Sequence, residues 1–271
     1  APQMDAVVFY QKKMIKNTAG FFDYIAKLRE YRIIPGLSRI RKVLKKLGAP
    51  QNKIRYIHIA GTNGKGSTAI FSAALLRKIY KRVGLFISPE ILTYNDRIRI
   101  NDSIISDSEL VKYGNKIIAA AEAVSVFLTE FEFCAAIMFL YFYESAVDYA
   151  VIETGLGGRL DATNVGNPKV SIITSISFDH SEFLGNTLPD IIFEKFDILK
   201  NADFGIIGNL GAKNSLKNKY AAEYFNASSI DTVSSKKKSK SGIDSIIQFS
   251  AKDTVRFLFK TKKMQMQGNA K

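Results

Sequence analysis

The run Gly61-Thr62-Asn63-Gly64-Lys65-Gly66-Ser67 has the residue types of an anion cradle. Glycines let backbone N–H groups turn toward a bound anion without a Cβ in the way. The apolar stretch before the run reads as a strand and the stretch after it as a helix, so the loop opens a helix whose dipole favours negative charge. Lys65 has the reach for nucleotide β/γ-phosphates, and Ser67 offers a hydroxyl to magnesium. The spacing is not that of the common Walker loop. Two residues, not four, separate Gly61 from Gly64, and Gly66 stands between Lys65 and Ser67. A generic kinase or ATPase motif therefore fails. The alternative is a strand–helix turn without ligand; the lysine in mid-turn and the serine after it favour phosphate.

Further candidates follow other strand-like runs. Tyr149–Glu153 ends on a carboxylate, followed by Thr154-Gly155-Leu156-Gly157-Gly158-Arg159. Glu153 suits Mg²⁺, a hard cation that prefers oxygen, or is an ordinary strand-end glutamate meeting solvent. The glycines after it favour a ligand at close range. Asp161 is a polar substrate contact or a turn former, and Asn164 fixes a turn. His180, after Val170–Ile176, is a candidate metal ligand or a structural histidine. His58 lies inside a strand and reads as packing. On composition alone Lys195 is a surface lysine.

The elements that must position these residues alternate. Ile54–Ala60, Val83–Ile87, Tyr149–Glu153, Val170–Ile176 and Phe204–Gly208 read as buried strands. Ser67–Tyr80, a segment opened by the capping-box pair Ser106/Glu109 and running to about Val124, Phe131–Tyr143, and a segment from Thr187-Leu188-Pro189 to about Lys200 read as helices. Ile246–Ser250 and Val255–Lys260 read as a late β-hairpin. The pattern predicts an α/β fold, a mostly parallel sheet with helices on both faces. Ligands of such folds bind outside the carboxyl ends of the strands, where the candidates fall.

The apolar fraction, 46%, allows a sizeable core. The formal charge of +14 favours anionic partners without choosing among nucleic acid, nucleotide and carboxylate-rich substrate. Part of it sits in Lys236-Lys237-Lys238-Ser239-Lys240, which reads as a solvated loop. Cys134, the single cysteine, excludes an internal disulfide and a Cys-rich metal site, and reads as a buried thiol in a reducing compartment. No signal peptide is visible at Ala1–Asp5, and Glu132, Glu144 and Asp148 break the most apolar stretch, so no membrane span is expected. There is no RNA-recognition or helix-turn-helix signature.

Taken together, the segments resemble the folylpolyglutamate synthase/dihydrofolate synthase family of the Mur ligase superfamily. The resemblance is carried by Ile57–Ser67, by Gly84–Pro89 with Asn95–Asn101, by Glu153–Asn164, and by Asp179-His180, Leu184–Leu188 and Glu194-Lys195. Pro35-Gly36-Leu37 and Leu47–Pro50 fit the family's opening segment. It runs from about Phe22 to Lys200. It implies a P-loop-type Mur ligase central domain that binds ATP and Mg²⁺ and adds L-glutamate to dihydropteroate or folate through an acyl phosphate.

The resemblance also implies roles. Ser67, Glu153 and His180 match magnesium ligands, Lys65 the phosphate-binding lysine, and Lys195 a lysine that many members carry as a carbamate. Thr129, Phe131 and Asp161 match pterin-pocket positions, and Ser88, Pro89 and Arg97 belong to the substrate-side segment. A cytoplasmic monomer without nucleic-acid or membrane partners is expected. Three departures stand out. Glu90 replaces a histidine, Phe196-Asp197 replaces Ala-Gly, and no His-Gln pair is recognisable near Gln265–Ala270. The family's second, smaller glutamate-ligase domain is expected to be absent from residues 1–271. A Mur-type ligase acting on a cell-wall precursor, an inactive nucleotide-binding relative and a binding module without ligase chemistry are the competing readings.

Overall fold

A computed structural model describes residues 14–30, 34–208, 231–234 and 245–250. The elements in chain order are α1 (Thr18–Arg29), α2 (Ser38–Lys46), β1 (Tyr56–Ala60), α3 (Lys65–Leu76), β2 (Val83–Phe86), β3 (Ile98–Ile100), β4 (Ser103–Ile104), α4 (Asp107–Ala123), α5 (Glu130–Glu144), β5 (Tyr149–Glu153), β6 (Val170–Ile173), α6 (Ser181–Leu184), α7 (Leu188–Phe196), β7 (Phe204–Ile207), β8 (Asp231–Ser234) and β9 (Ser245–Ser250). Short 3₁₀ turns lie at Pro50–Asn52, Tyr94–Arg97 and Asp197–Leu199.

One sheet runs β4-β3-β2-β5-β1-β6-β7-β9-β8. Its five central strands, β2, β5, β1, β6 and β7, are parallel, and antiparallel strands extend both edges. The parallel strands are apolar on alternate residues of both faces because both faces are covered. Tyr56, Phe86, Ala150 and Ile152 point into a core shared with α1, α2, α4 and α5. On the same face Ala60, Ile173 and Ile207 pack on α7. Ile59, Leu85, Val151 and Ile172 face α3 on the other side. Helix α5 is buried nearly all round, from Glu132 to Phe142, as expected for a helix apolar on every side. Cys134 sits inside it, and burial pushes its thiol up to about 11. Among the described residues no helix is long and apolar enough to cross a membrane.

Some boundaries shift for identifiable reasons. Helix α3 starts at Lys65, before Ser67, because Gly64 takes a left-handed conformation (φ 82°) at the N-cap. The strand expected to run to Ile176 ends at Ile173, because the hydroxyls of Thr174 and Ser175 turn to donate to Asn63 O in the glycine loop. The Ser106/Glu109 capping box is present, and α4 follows it. Of the expected late hairpin, the first strand exists as β9, but its described partners are β7 and the preceding β8. Val255–Lys260 lies outside the described residues, as does the lysine run at 236–240.

Candidate active site

Three neighbouring strands deliver the site. β1 lies between β5 and β6, with Ile59 opposite Glu153 and Ala60 opposite Ile173. The loops leaving their carboxyl ends therefore emerge side by side. This is also where chain connections switch direction: β1 leads toward β2 on one side, and β6 and β7 lie on the other.

The glycine loop Gly61–Ser67 is braced by the segment after β6. Thr62 N–H donates to Ser175 O (2.9 Å), and its hydroxyl donates to Ser177 O (3.1 Å). Thr174 Oγ1 donates to Asn63 O (2.7 Å), and Asn63 N–H donates to Ser175 Oγ (2.9 Å). Gly61 (φ 148°) tolerates no side chain, since a Cβ there would stand 2.0 Å from Thr174 Oγ1. Lys65 Nζ folds back to donate to Gly61 O (3.1 Å) and Thr62 O (3.2 Å). Lys195 Nζ, carried by α7, donates to the same Gly61 oxygen at 3.1 Å. Lys195 is not the surface lysine that composition suggests; it is 2% exposed. Burial, and then the neighbouring Lys65 charge, hold its ammonium down at about 8. Two cations converging on a neutral carbonyl make a site that an anion would stabilise.

Glu153 lies against this loop. A Cβ added at Gly66 would be 3.5 Å from Glu153 Oε2, and the same oxygen accepts the Ser88 N–H at 3.2 Å. Burial raises its carboxyl to about 7, against the pull of that N–H and of Lys65. A carboxylate so little compensated fits an oxygen-seeking cation, with Ser67 one residue beyond Gly66. His180 has a left-handed backbone (φ 46°) and a half-exposed ring 3.5 Å from Asp179 Oδ1. Among the described residues no group of three or more His, Cys, Asp or Glu side chains gathers to hold a metal.

Ser88 also opens a second space. A cleft of about 520 Å³ is lined by Ser88, Pro89, Arg97, Thr129, Phe131 and Asp161, and His180 stands on its wall. All six substrate-side residues singled out from the sequence thus meet in one cavity, although they come from separate segments. Their states differ. The Thr129 hydroxyl is the N-cap of α5, in a capping box with Glu132. The Asp161 carboxylate accepts the N–H groups of Gly155 and Leu156 (2.8 Å each) and of Thr163 (3.0 Å), as well as the Thr163 hydroxyl. It shapes the glycine loop more than it offers a free acceptor. The packing role expected for His58 is seen: it is fully buried, held neutral by burial at about 3, with Nε2 2.8 Å from Thr163 Oγ1. Phe196, at a departure from the family pattern, is fully buried in the core under α7.

Sequence reasoning missed the charge pairing around the cleft. Arg97 is bound by Glu90 (Nε–Oε2 2.6 Å) and Glu130 (Nη1–Oε1 2.9 Å), and lies over the Tyr94 ring at 5.0 Å. Glu90 also receives Arg29 at 2.9 Å, and Arg159 pairs with Glu194 at 2.7 Å. Nothing in the local spacing of these residues announces the pairs, since Arg29 and Glu90 are joined only by the packing of α1. The hydroxyl-rich run Thr174-Ser175-Ile176-Ser177 was a legible sign of the loop brace.

The Mur ligase middle domain model matches residues 59–270. The dihydrofolate synthase/folylpolyglutamate synthase of Bacillus subtilis is 45% identical over 176 residues, which cover 63% of this chain and 41% of that protein. The solved FPGS–AMPPCP–folate complex superimposes with a TM-score of 0.70 at 33% identity, over 82% of this chain and 57% of the other. A bifunctional folylpolyglutamate synthase/dihydrofolate synthase solved with Mn, AMPPNP and L-glutamate bound gives a TM-score of 0.61 at 33% identity, over 69% of this chain and 45% of that one. The chain spans about half the length of the relatives it matches. It belongs to the Mur ligase family, on the branch of the folylpolyglutamate and dihydrofolate synthases.

Proposed function

We propose that this chain is the ATP- and magnesium-binding part of a ligase that joins L-glutamate to dihydropteroate or folate through an acyl phosphate. One observation carries the reading: the phosphate loop and the 520 Å³ cleft meet at a shared wall, where the Ser88 N–H binds the carboxylate that faces Gly66. A nucleotide in the loop and an acceptor in the cleft would present the γ-phosphate and a carboxylate to each other.

A carboxylate is a poor electrophile, and phosphorylation turns its oxygen into a leaving group that an amine can displace. The protein's part is positioning and charge compensation. Lys65 holds positive charge beside Gly61, where phosphoryl oxygens would sit, and the loop N–H groups add theirs. Phe131 lines the cleft and packs on Gly155 of the Asp161-anchored glycine loop, where it would contact a planar acceptor. Ser67, Glu153 and His180 are the residues that would hold Mg²⁺, which supplies Lewis-acid stabilisation of the transferring phosphoryl group. Glu153 and Ser67 fit that role by position, and His180 would complete it from the cleft side. The carbamate form of Lys195 is supported by its lowered ammonium pKa, because the neutral amine is the form that reacts with CO₂. A cytoplasmic monomer acting on small molecules, without nucleic acid, completes the reading.

The test uses the full-length gene product. Phosphate release from ATP should require Mg²⁺, a pteroate acceptor and glutamate together. Release indifferent to the pteroate, or supported equally by a cell-wall precursor, would count against the assignment.

A further inference from the structure

We infer that Glu90 tunes the cleft toward acceptors that bring a single carboxylate to the phosphate loop and against acceptors that already carry a glutamyl tail. The inference rests on the ligase reading and narrows its substrate. Three arginines line the cleft, Arg29, Arg97 and Arg159, and no lysine does among the described residues. Each arginine is occupied. Glu90 bridges Arg29 and Arg97, Glu130 takes the other side of Arg97, and Glu194 takes Arg159 through both Nε (2.9 Å) and Nη2 (2.7 Å).

Four carboxylates, Glu130, Glu132, Asp161 and Glu194, line the cleft with the three arginines; Glu132 is taken by Arg39 and Asp161 by backbone N–H groups, and Glu90 reaches the cleft through Arg97 and Arg29. Glu90 is placed to stay ionised. Burial works against its charge, but its own backbone N–H, Arg97 and Arg29 outweigh it and hold the carboxyl at about 2. A glutamyl tail adds carboxylates that need cationic partners. Here they would have to displace Glu90 from Arg97 or lie beside Glu130 unpaired, and like charges in a confined wall discriminate against a ligand. The single carboxylate of a pteroate acceptor needs none of these arginines, because Lys65 stands beside Gly61, where it would react.

The experiment compares kcat/KM of the full-length protein for dihydropteroate and for tetrahydrofolate diglutamate, in wild type and Glu90→Gln. Wild type should prefer dihydropteroate by about tenfold or more, and Glu90→Gln should cut that ratio by about three- to tenfold, mainly through a lower KM for the diglutamate. A purely structural Glu90 would lower kcat and Tm alike for both acceptors and leave the ratio in place, which overturns the inference. So does a wild-type preference for the diglutamate. If Glu90→Gln does not fold, Glu130→Gln frees the other side of Arg97 and carries the same expectation. Ligation of both acceptors with an unmoved ratio sinks only this inference. Absence of ATP-dependent ligation with either sinks the ligase reading and this inference with it.

Discussion

Glu153 and Lys195 are both nearly sealed from water, at 3% and 2% exposure, and neither has an opposite charge in direct contact to balance it. A carboxyl raised from 4.5 to about 7 binds its proton more tightly when folded, so it costs stability as pH rises between those values. Glu153→Gln should remove that cost. In urea denaturation at pH 8 the variant should gain about 1–3 kcal/mol over wild type, and the two should converge below pH 4.5. The same variant should lose Mg²⁺-dependent nucleotide binding, and retention of that binding would remove Glu153 from the metal site. Lys195 has the opposite sign. Its ammonium is held at about 8, so near that pH roughly half is neutral amine. With ¹³C-bicarbonate a carbamate resonance should appear that Lys195→Arg lacks. Lys65→Ala should cut turnover by about 10²–10³-fold, the scale of losing one group that meets developing charge.

At the scale of elements, two helix positions link stability to the site. Thr129 caps α5 through Glu132, whose Oε2 accepts the Thr129 N–H (2.9 Å) and the Arg39 Nε–H (3.1 Å). Thr129→Ala should cost about 1–2 kcal/mol and raise the acceptor KM, because the first turn of α5 also carries Phe131 into the cleft; Thr129→Ser should restore both. In the sheet, a Cβ at Gly84 of β2 would stand 2.9 Å from the ring of Phe142, which is fully buried on α5. Gly84→Ala should therefore destabilise by about 1–3 kcal/mol in the same denaturation assay, although Gly84 does not line the cleft. The strand–helix alternation behind these elements was readable because covering both faces of a parallel sheet forces continuous apolar runs. Strand ends were less readable. Ile176 continues the apolar pattern of β6, but hydrogen bonding to a loop more than a hundred residues earlier in the chain ends the strand at Ile173.

For the whole molecule, a ligand that binds only the folded state raises stability by mass action, by about 2.7 kcal/mol at a hundred times Kd. ATP with Mg²⁺ should raise Tm by several degrees, ATP with EDTA by less, and Glu153→Gln should erase the difference between the two. The formal charge of +14 predicts only that anionic ligands are tolerated; it does not choose among them. Around the cleft the arginines are each paired with a carboxylate, and net charge could not have revealed this.

The amino-acid sequence alone determined the glycine loop between strand and helix, the alternating architecture and the edge of the sheet to which the candidate residues belong. Each follows from local rules of glycine conformation, hydrophobic period and strand direction. Only the tertiary structure decided that Lys195 is buried on Gly61, that Asp161 is spent on backbone N–H groups, and that every cleft arginine already has a carboxylate partner. Those facts depend on contacts between segments up to 134 residues apart, and on the balance between burial and charge at each contact.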